Sequence, residues 1–270
     1  MVDLKDKVAI VTGASAGIGR ASAKLFARAG TKVVVASRRK AELDSLVREI
    51  AGEGGDALAL AGDMSDEAFA KELVERAEQS YGRLDVGFNN AGILGEQGPT
   101  TGISLEGWNG TLKVNLTSAF LAAKHQIPAM LKQGKGSIIF TSTFVGYTVG
   151  FPGFVAYAAS KSGLIGLTEA LAAEYGPQNI RVNALLPGAV ETAMYEAAND
   201  TAEKRAYLTN LHALKRVASP MSWRRRPSIS PPTRQASNQG PPCWCTAASP
   251  SRERENHSHS MVPGGLEVMS

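Results

Sequence analysis

The sequence predicts a single-domain α/β fold on a doubly wound parallel sheet, and three observations carry that prediction. From Lys7 to about Leu186, short β-branched runs alternate with stretches whose apolar residues recur at helical spacing. Strand–helix alternation implies parallel pairing, because parallel strands can be joined only by long crossovers, and the crossover helices then cover both faces. The first strand also runs straight into a glycine-rich turn that opens the first helix. At 270 residues and 43% hydrophobic, the chain is long enough to bury a substantial core in one unit.

Val8–Thr12, Lys32–Ala36, Ala57–Ala61, Val86–Asn89, Ser137–Thr141 and Arg181–Leu186 are the predicted strands, each a brief apolar or β-branched run of the kind buried on both faces. Between them Ala21–Ala29, Ala41–Ile50 and Phe69–Tyr81 are predicted helices, from apolar residues three and four apart. No internal repeat is present. Met1–Asp6 is short and charged, and Val8–Val11 is too brief for the apolar stretch of a secretory signal. No run approaches the roughly 18 apolar residues of a membrane span, so a soluble cytoplasmic protein with no membrane partner is expected.

The net charge of +4 divides unevenly. Residues 1–220 hold 23 Lys and Arg against 22 Asp and Glu, whereas residues 221–270 hold 6 against 3. A near-neutral body gives no electrostatic case for a nucleic-acid partner. Both cysteines, Cys243 and Cys245, lie beyond residue 220, so disulfides and thiol catalysis play no part in the body's chemistry.

Near Pro220 the character changes. Residues 221–270 contain 7 of the 13 prolines, 9 serines, the run Arg224–Arg226 and no periodic apolar pattern, which predicts an irregular, non-family tail. The genetic code offers a sharper account. Reverse-translated from Met221 and read one base earlier, the codons permit DELAEAALYLASDAASF, then GAALLV and a Gly-Gly pair. That peptide is an amphipathic helix, a loop and an apolar strand. The expectation is that residues 221–270 are an out-of-frame translation after loss of one base near the Pro220 codon. Cys243, Cys245, His257 and His259 lack a usual zinc spacing, so no metal site is expected there.

The turn Gly13-Ala14-Ser15-Ala16-Gly17-Ile18-Gly19 lets the backbone approach a pyrophosphate at a helix N-terminus. At the end of the second strand, Ser37-Arg38-Arg39 replaces the carboxylate that would hold a free ribose 2′-hydroxyl. Arg38 or Arg39 could instead pair with a 2′-phosphate, so NADP(H) is favoured over NAD(H). Asp63 and Met64 follow the third strand, and Asn90-Ala91-Gly92 the fourth, at the sheet edge where such folds bind ligands. Tyr157 and Lys161 lie four apart at the start of an apolar helix, one turn apart on one face. A nearby ammonium favours the phenolate, which would fit Tyr157 for proton transfer at a carbonyl or alcohol oxygen.

Thr12–Gly19, Asn89–Gly92, Asn115, Tyr157 with Lys161, and Pro187-Gly188 stand in the order and spacing of the short-chain dehydrogenase/reductase family, which this chain resembles from residue 4 to about 220. The resemblance implies a Rossmann-type sheet, a small-molecule alcohol or carbonyl substrate, and a homotetramer or dimer. It implies Tyr157 as general acid/base, Lys161 as ribose ligand and tuner of Tyr157, and Asn115 as holder of a relay water. It also implies that Pro187, Gly188, Val190 and Thr192 line the nicotinamide. The family's serine after the fifth strand falls here on Thr143, with Ser142 as the alternative. Phe144, Tyr147, Phe151, Phe154, Met194 and Tyr195 are expected to give the substrate region apolar surface. A nucleotide-sensing protein on the same fold is disfavoured, since such proteins typically lose the Tyr/Lys pair. The family's final helix and strand would be missing from the altered tail. The chain is therefore expected to be a weakened oligomer of low stability or activity.

Overall fold

The computed structural model describes residues 4–212 and 214–220; the expectations for 221–270 lie outside the described residues. Six strands form one sheet: β1 (Val8–Thr12), β2 (Lys32–Ser37), β3 (Ala57–Ala61), β4 (Val86–Asn89), β5 (Gly136–Thr141) and β6 (Ile180–Leu185). Their spatial order is β3-β2-β1-β4-β5-β6, with every neighbouring pair parallel. All six predicted strands are present, their ends displaced by at most one residue.

Three helices separate the first four strands: α1 (Gly17–Arg28), α2 (Lys40–Gly52) and α3 (Glu67–Tyr81). They begin before the predicted bounds because glycines and charged first-turn residues carry no apolar period. Next come α4 (Leu105–Leu112), a π-turn over Lys113–Thr117, α5 (Ser118–Leu131) and the long α6 (Val155–Tyr175). Past β6 come two short helices that apolar spacing does not predict, α7 (Ala193–Ala198) and α8 (Ala202–Leu211). Their N-caps, Thr192 and Thr201, accept hydrogen bonds from the amides of Tyr195 and Lys204, a signal in the sequence that apolar periodicity does not register.

Successive strand residues face opposite layers. Ile10, Val34, Ile138 and Phe140 pack with α3, α5 and Leu164 of α6; Val11, Val33 and Val35 pack with α1 and α2. Burial of each large aliphatic side chain contributes about 1.5–3 kcal/mol. On the second face α1 reaches Phe88 of β4 through Phe26, but among the described residues no helix packs closely over β5 or β6 there. No helix of the described chain is long and apolar enough to cross a membrane.

The amino edge of the sheet is tied by one buried carboxylate. Asp85 accepts from the Val8 amide at 3.0 Å and from two guanidinium nitrogens of Arg83 at 2.7 and 2.6 Å. Burial opposes its charge, but Arg83 and the Val8 amide outweigh that and hold the carboxyl below its ordinary value. Asp85→Ala is expected to destabilise the fold by on the order of 3 kcal/mol, since it strands the Val8 amide and Arg83. The depressed pKa makes this contribution present above the ordinary value of 3.8 and lost as pH falls further. Urea midpoints of parent and variant should therefore converge in acid.

Candidate active site

The site lies where β1 stands between β2 and β4, so that the chain leaves toward opposite sides and a crevice opens at the carboxyl ends of the strands. Thr12, the last residue of β1, joins the two banks: its Oγ1 accepts from the amides of Asn90 and Ala91, at 3.0 and 3.1 Å. The glycine turn follows at once. Gly13 and Gly17 have φ of +65° and +56°, and a Cβ on Gly19 would collide with the Gly13 carbonyl oxygen. Helix α1 therefore starts with bare backbone amides facing the crevice. It has no side-chain cap and no acidic residue in its first turn, which suits a phosphate as partner.

A cleft of about 780 Å³ runs from this turn to α8. It gathers Gly13, Ser15, Gly17 and Ile18 of the turn, Ser37, Arg38 and Arg39 after β2, and Asp63 and Met64 after β3. Asn90, Ala91 and Gly92 form its floor, and Pro187, Gly188, Val190 and Thr192 the opposite wall. Arg39 donates from Nε and Nη2 to Ser15 Oγ at 3.2 and 2.9 Å, which holds its guanidinium over the turn. Asp63 accepts from the amide and hydroxyl of Ser65, both at 2.9 Å; the amide bond above all holds its carboxyl below the ordinary value.

Deeper in, α6 presents Tyr157 and Lys161 one turn apart, and the Thr143 hydroxyl stands beside the Tyr157 phenol. Lys161 Nζ is buried and donates to the Thr141 carbonyl at 2.7 Å; burial pulls its pKa down to about 8. Ser142 turns the other way: its hydroxyl donates to the Lys161 carbonyl at 2.7 Å, so it braces α6 rather than facing Tyr157. Asn115 lies in the π-turn, outside the cleft lining. Its Nδ2 donates to the Ile93 carbonyl at 2.9 Å and to Ser160 Oγ at 3.0 Å, while Oδ1 accepts from the Ile93 amide. Ser160 Oγ in turn donates to the Tyr157 carbonyl at 2.8 Å.

With this geometry in place, comparison with known proteins is informative. The family description "short chain dehydrogenase" matches residues 7–203. The chain belongs to that family. Its relatives are dehydrogenases and reductases that act on alcohol or carbonyl groups. A 3-oxoacyl-(acyl-carrier-protein) reductase of Thermotoga maritima is 41% identical over 203 residues, spanning 75% of this chain and 82% of that protein. A cyclohexanol dehydrogenase of an Acinetobacter species is 36% identical over 215 residues, 80% of this chain and 83% of that one. A solved structure from Beutenbergia cavernae is described as an NAD(P)-dependent gluconate 5-dehydrogenase, with NADP bound at low occupancy. It superposes with a TM-score of 0.77 at 37% identity, covering 83% and 89% of the two chains.

Against this short-chain dehydrogenase frame, two expectations need correcting, those for Tyr157 and Tyr147. The Tyr157 phenol stands above its ordinary value, because burial outweighs the neighbouring Thr143 hydroxyl; an ammonium nearby does not reverse that. Both amide hydrogens of Asn115 are spent on protein, so a water held there would donate to an oxygen of Asn115. Tyr147 lies outside the cleft and is 44% exposed. Asn89 faces away from the crevice, in a reciprocal pair with Gln126 at 3.0 Å.

Sequence reasoning also missed His212. Its Nε2 accepts from the Ala189 amide at 3.0 Å, and its Nδ1 lies 2.8 Å from the Leu208 carbonyl oxygen, which fixes Nδ1–H as the donor. It thereby fastens α8 to the Pro187–Ala189 segment. Its partners are backbone groups, so no pairing of residue types could have announced it.

The depressed Lys161 value has a stability consequence. Between pH 8 and 10.5 the unfolded chain binds more protons at this residue than the folded chain, so its penalty is full below pH 8 and fades as pH rises toward 10.5. Lys161→Met is expected to raise unfolding stability at pH 7 by up to about 3 kcal/mol. Urea titrations of parent and variant at pH 7 and pH 10 should show that gap closing.

Proposed function

We propose that this chain is an NADP(H)-dependent oxidoreductase that interconverts a ketone and a secondary alcohol, with residues 1–220 as the catalytic unit. The observation that carries the reading is the gathering of Tyr157, Thr143 and the buried Lys161 at the inner end of a cleft that begins at an uncapped helix. A bound nicotinamide would supply or accept the hydride. In reduction, the Tyr157 hydroxyl gives its proton to the carbonyl oxygen as that oxygen gains charge, and Thr143 donates a hydrogen bond to the same oxygen. The Lys161 ammonium steadies the phenolate left behind. In the reverse direction Tyr157 takes the alcohol proton. Asn115 acts as a positioning residue, through Ser160 to the Tyr157 backbone.

Arg38 and Arg39, with no carboxylate at the end of β2, support a 2′-phosphate on the nucleotide. Nicotinamide fluorescence titration is expected to give at least tenfold tighter binding of NADPH than of NADH, with the difference lost in an Arg38→Ala/Arg39→Ala double variant. Equal affinities in the parent would refute the NADP preference. Tyr157→Phe should leave NADPH binding intact and cut turnover by about a hundredfold or more.

A second reading is favoured by the second face over β5 and β6, which no described helix covers, and by the change of composition after Pro220. On that reading the chain is a catalytically impaired nucleotide-binding form, cytoplasmic, its tetramer or dimer weakened. Restoring one base at the Pro220 codon should then raise both melting temperature and turnover. An intact frame in the DNA there, or a stable tetramer of ordinary turnover from the chain as it stands, would end the idea.

A further inference from the structure

The half of the cleft beyond Tyr157 carries its own chemical signature. We infer that it is a subsite for an apolar ring, so that the substrate is a cyclic ketone or alcohol seated against Phe144, Phe151 and Tyr207. The inference rests on the oxidoreductase reading above and narrows it to a substrate class.

The aromatic row begins beside the reacting position. Phe144 directly follows Thr143, the hydroxyl beside Tyr157. From there the rings step outward edge to face: Phe144 to Phe151 at 5.8 Å and 89°, then Phe151 to Tyr207 at 6.4 Å and 88°. Opposite them Phe154 stands edge-on to Tyr157 itself, at 6.4 Å and 71°. Perpendicular rings offer alternating faces and edges, a surface that a further ring of similar thickness can cover with little loss of contact. Phe144, Phe151 and Phe154 are only half-buried, so apolar area remains for a ligand to remove from water.

The polar groups of this half point the same way. Lys204, the cation at its mouth, is neutralised by Asp200 at 2.8 Å. Asn199 spends its amide on the Tyr195 carbonyl at 2.8 Å. Among the described residues lining this half no unpaired cation remains to anchor a carboxylate or phosphate, and Gln97 is the other amide available. A polyhydroxy acid would exchange its water for unmatched apolar walls. An apolar ring needs a hydrogen bond only at its reacting oxygen, where Thr143 and Tyr157 provide it.

The experiment compares cyclohexanone, hexan-2-one (six carbons without ring closure) and 5-ketogluconate on the NADPH-saturated protein. Binding is read by saturation-transfer NMR and turnover by NADPH oxidation. Cyclohexanone is expected to bind at least tenfold more tightly than hexan-2-one, with no detectable binding of 5-ketogluconate. Phe151→Ala should weaken the ring about tenfold and Phe151→Leu less, with NADPH binding unchanged in both as the check on folding. Equal binding of ring and open chain, tighter binding of the sugar acid, or binding of none of the three overturns the ring subsite. Ring binding with the predicted Phe151 response but no turnover leaves the subsite standing and counts against the oxidoreductase reading. Turnover that prefers the open chain does the reverse.

Discussion

Parallel strands cannot be joined without crossovers, and a sheet that is wound in two directions must part its connections somewhere. Here it parts at β1, and everything functional in the molecule collects at that parting. Thr12 holds the two banks together through amides of the far one. The glycine turn, the Asn90–Gly92 floor and the α6 face that carries Tyr157 and Lys161 all open on the same crevice. Residues more than 140 positions apart become neighbours because one strand ends between two others.

That convergence has an energetic cost at its centre. A fully buried ammonium with a single carbonyl partner works against folding at neutral pH, as its depressed pKa records. The two apolar layers on either side of the sheet and the Asp85 clamp at its opposite edge supply the stability against which this charge is held. The molecule thus places its strain and its firmest polar anchor at opposite ends of the same strands.

The sheet was legible in the sequence because strands buried on both faces are written as uninterrupted apolar runs, and residues such as Val8–Thr12 admit few other readings. The family was legible because a glycine turn, Asn89–Gly92 and Tyr157/Lys161 recur at fixed intervals. What stayed hidden depends on direction rather than identity. Ser142 and Thr143 are adjacent hydroxyls, and only the turn after β5 aims one at Tyr157 and the other at the α6 backbone. Asn115 commits both amide hydrogens to Ile93 and Ser160, a packing detail that its place in the motif does not reveal. Helices α7 and α8 stayed hidden because they bury no residue at all, so periodicity had nothing to register.

The open amino end of α1 has one further meaning. A helix that starts with no cap and no acidic residue in its first turn is less stable than it need be until an anion sits there. Any phosphate-bearing ligand that occupies the turn completes the helix as well as the site. At a hundredfold excess over its dissociation constant such a ligand adds about 2.7 kcal/mol to the folded state. The lifetime of the protein would then follow the supply of its nucleotide, persisting where the pool is full and being cleared where it runs low.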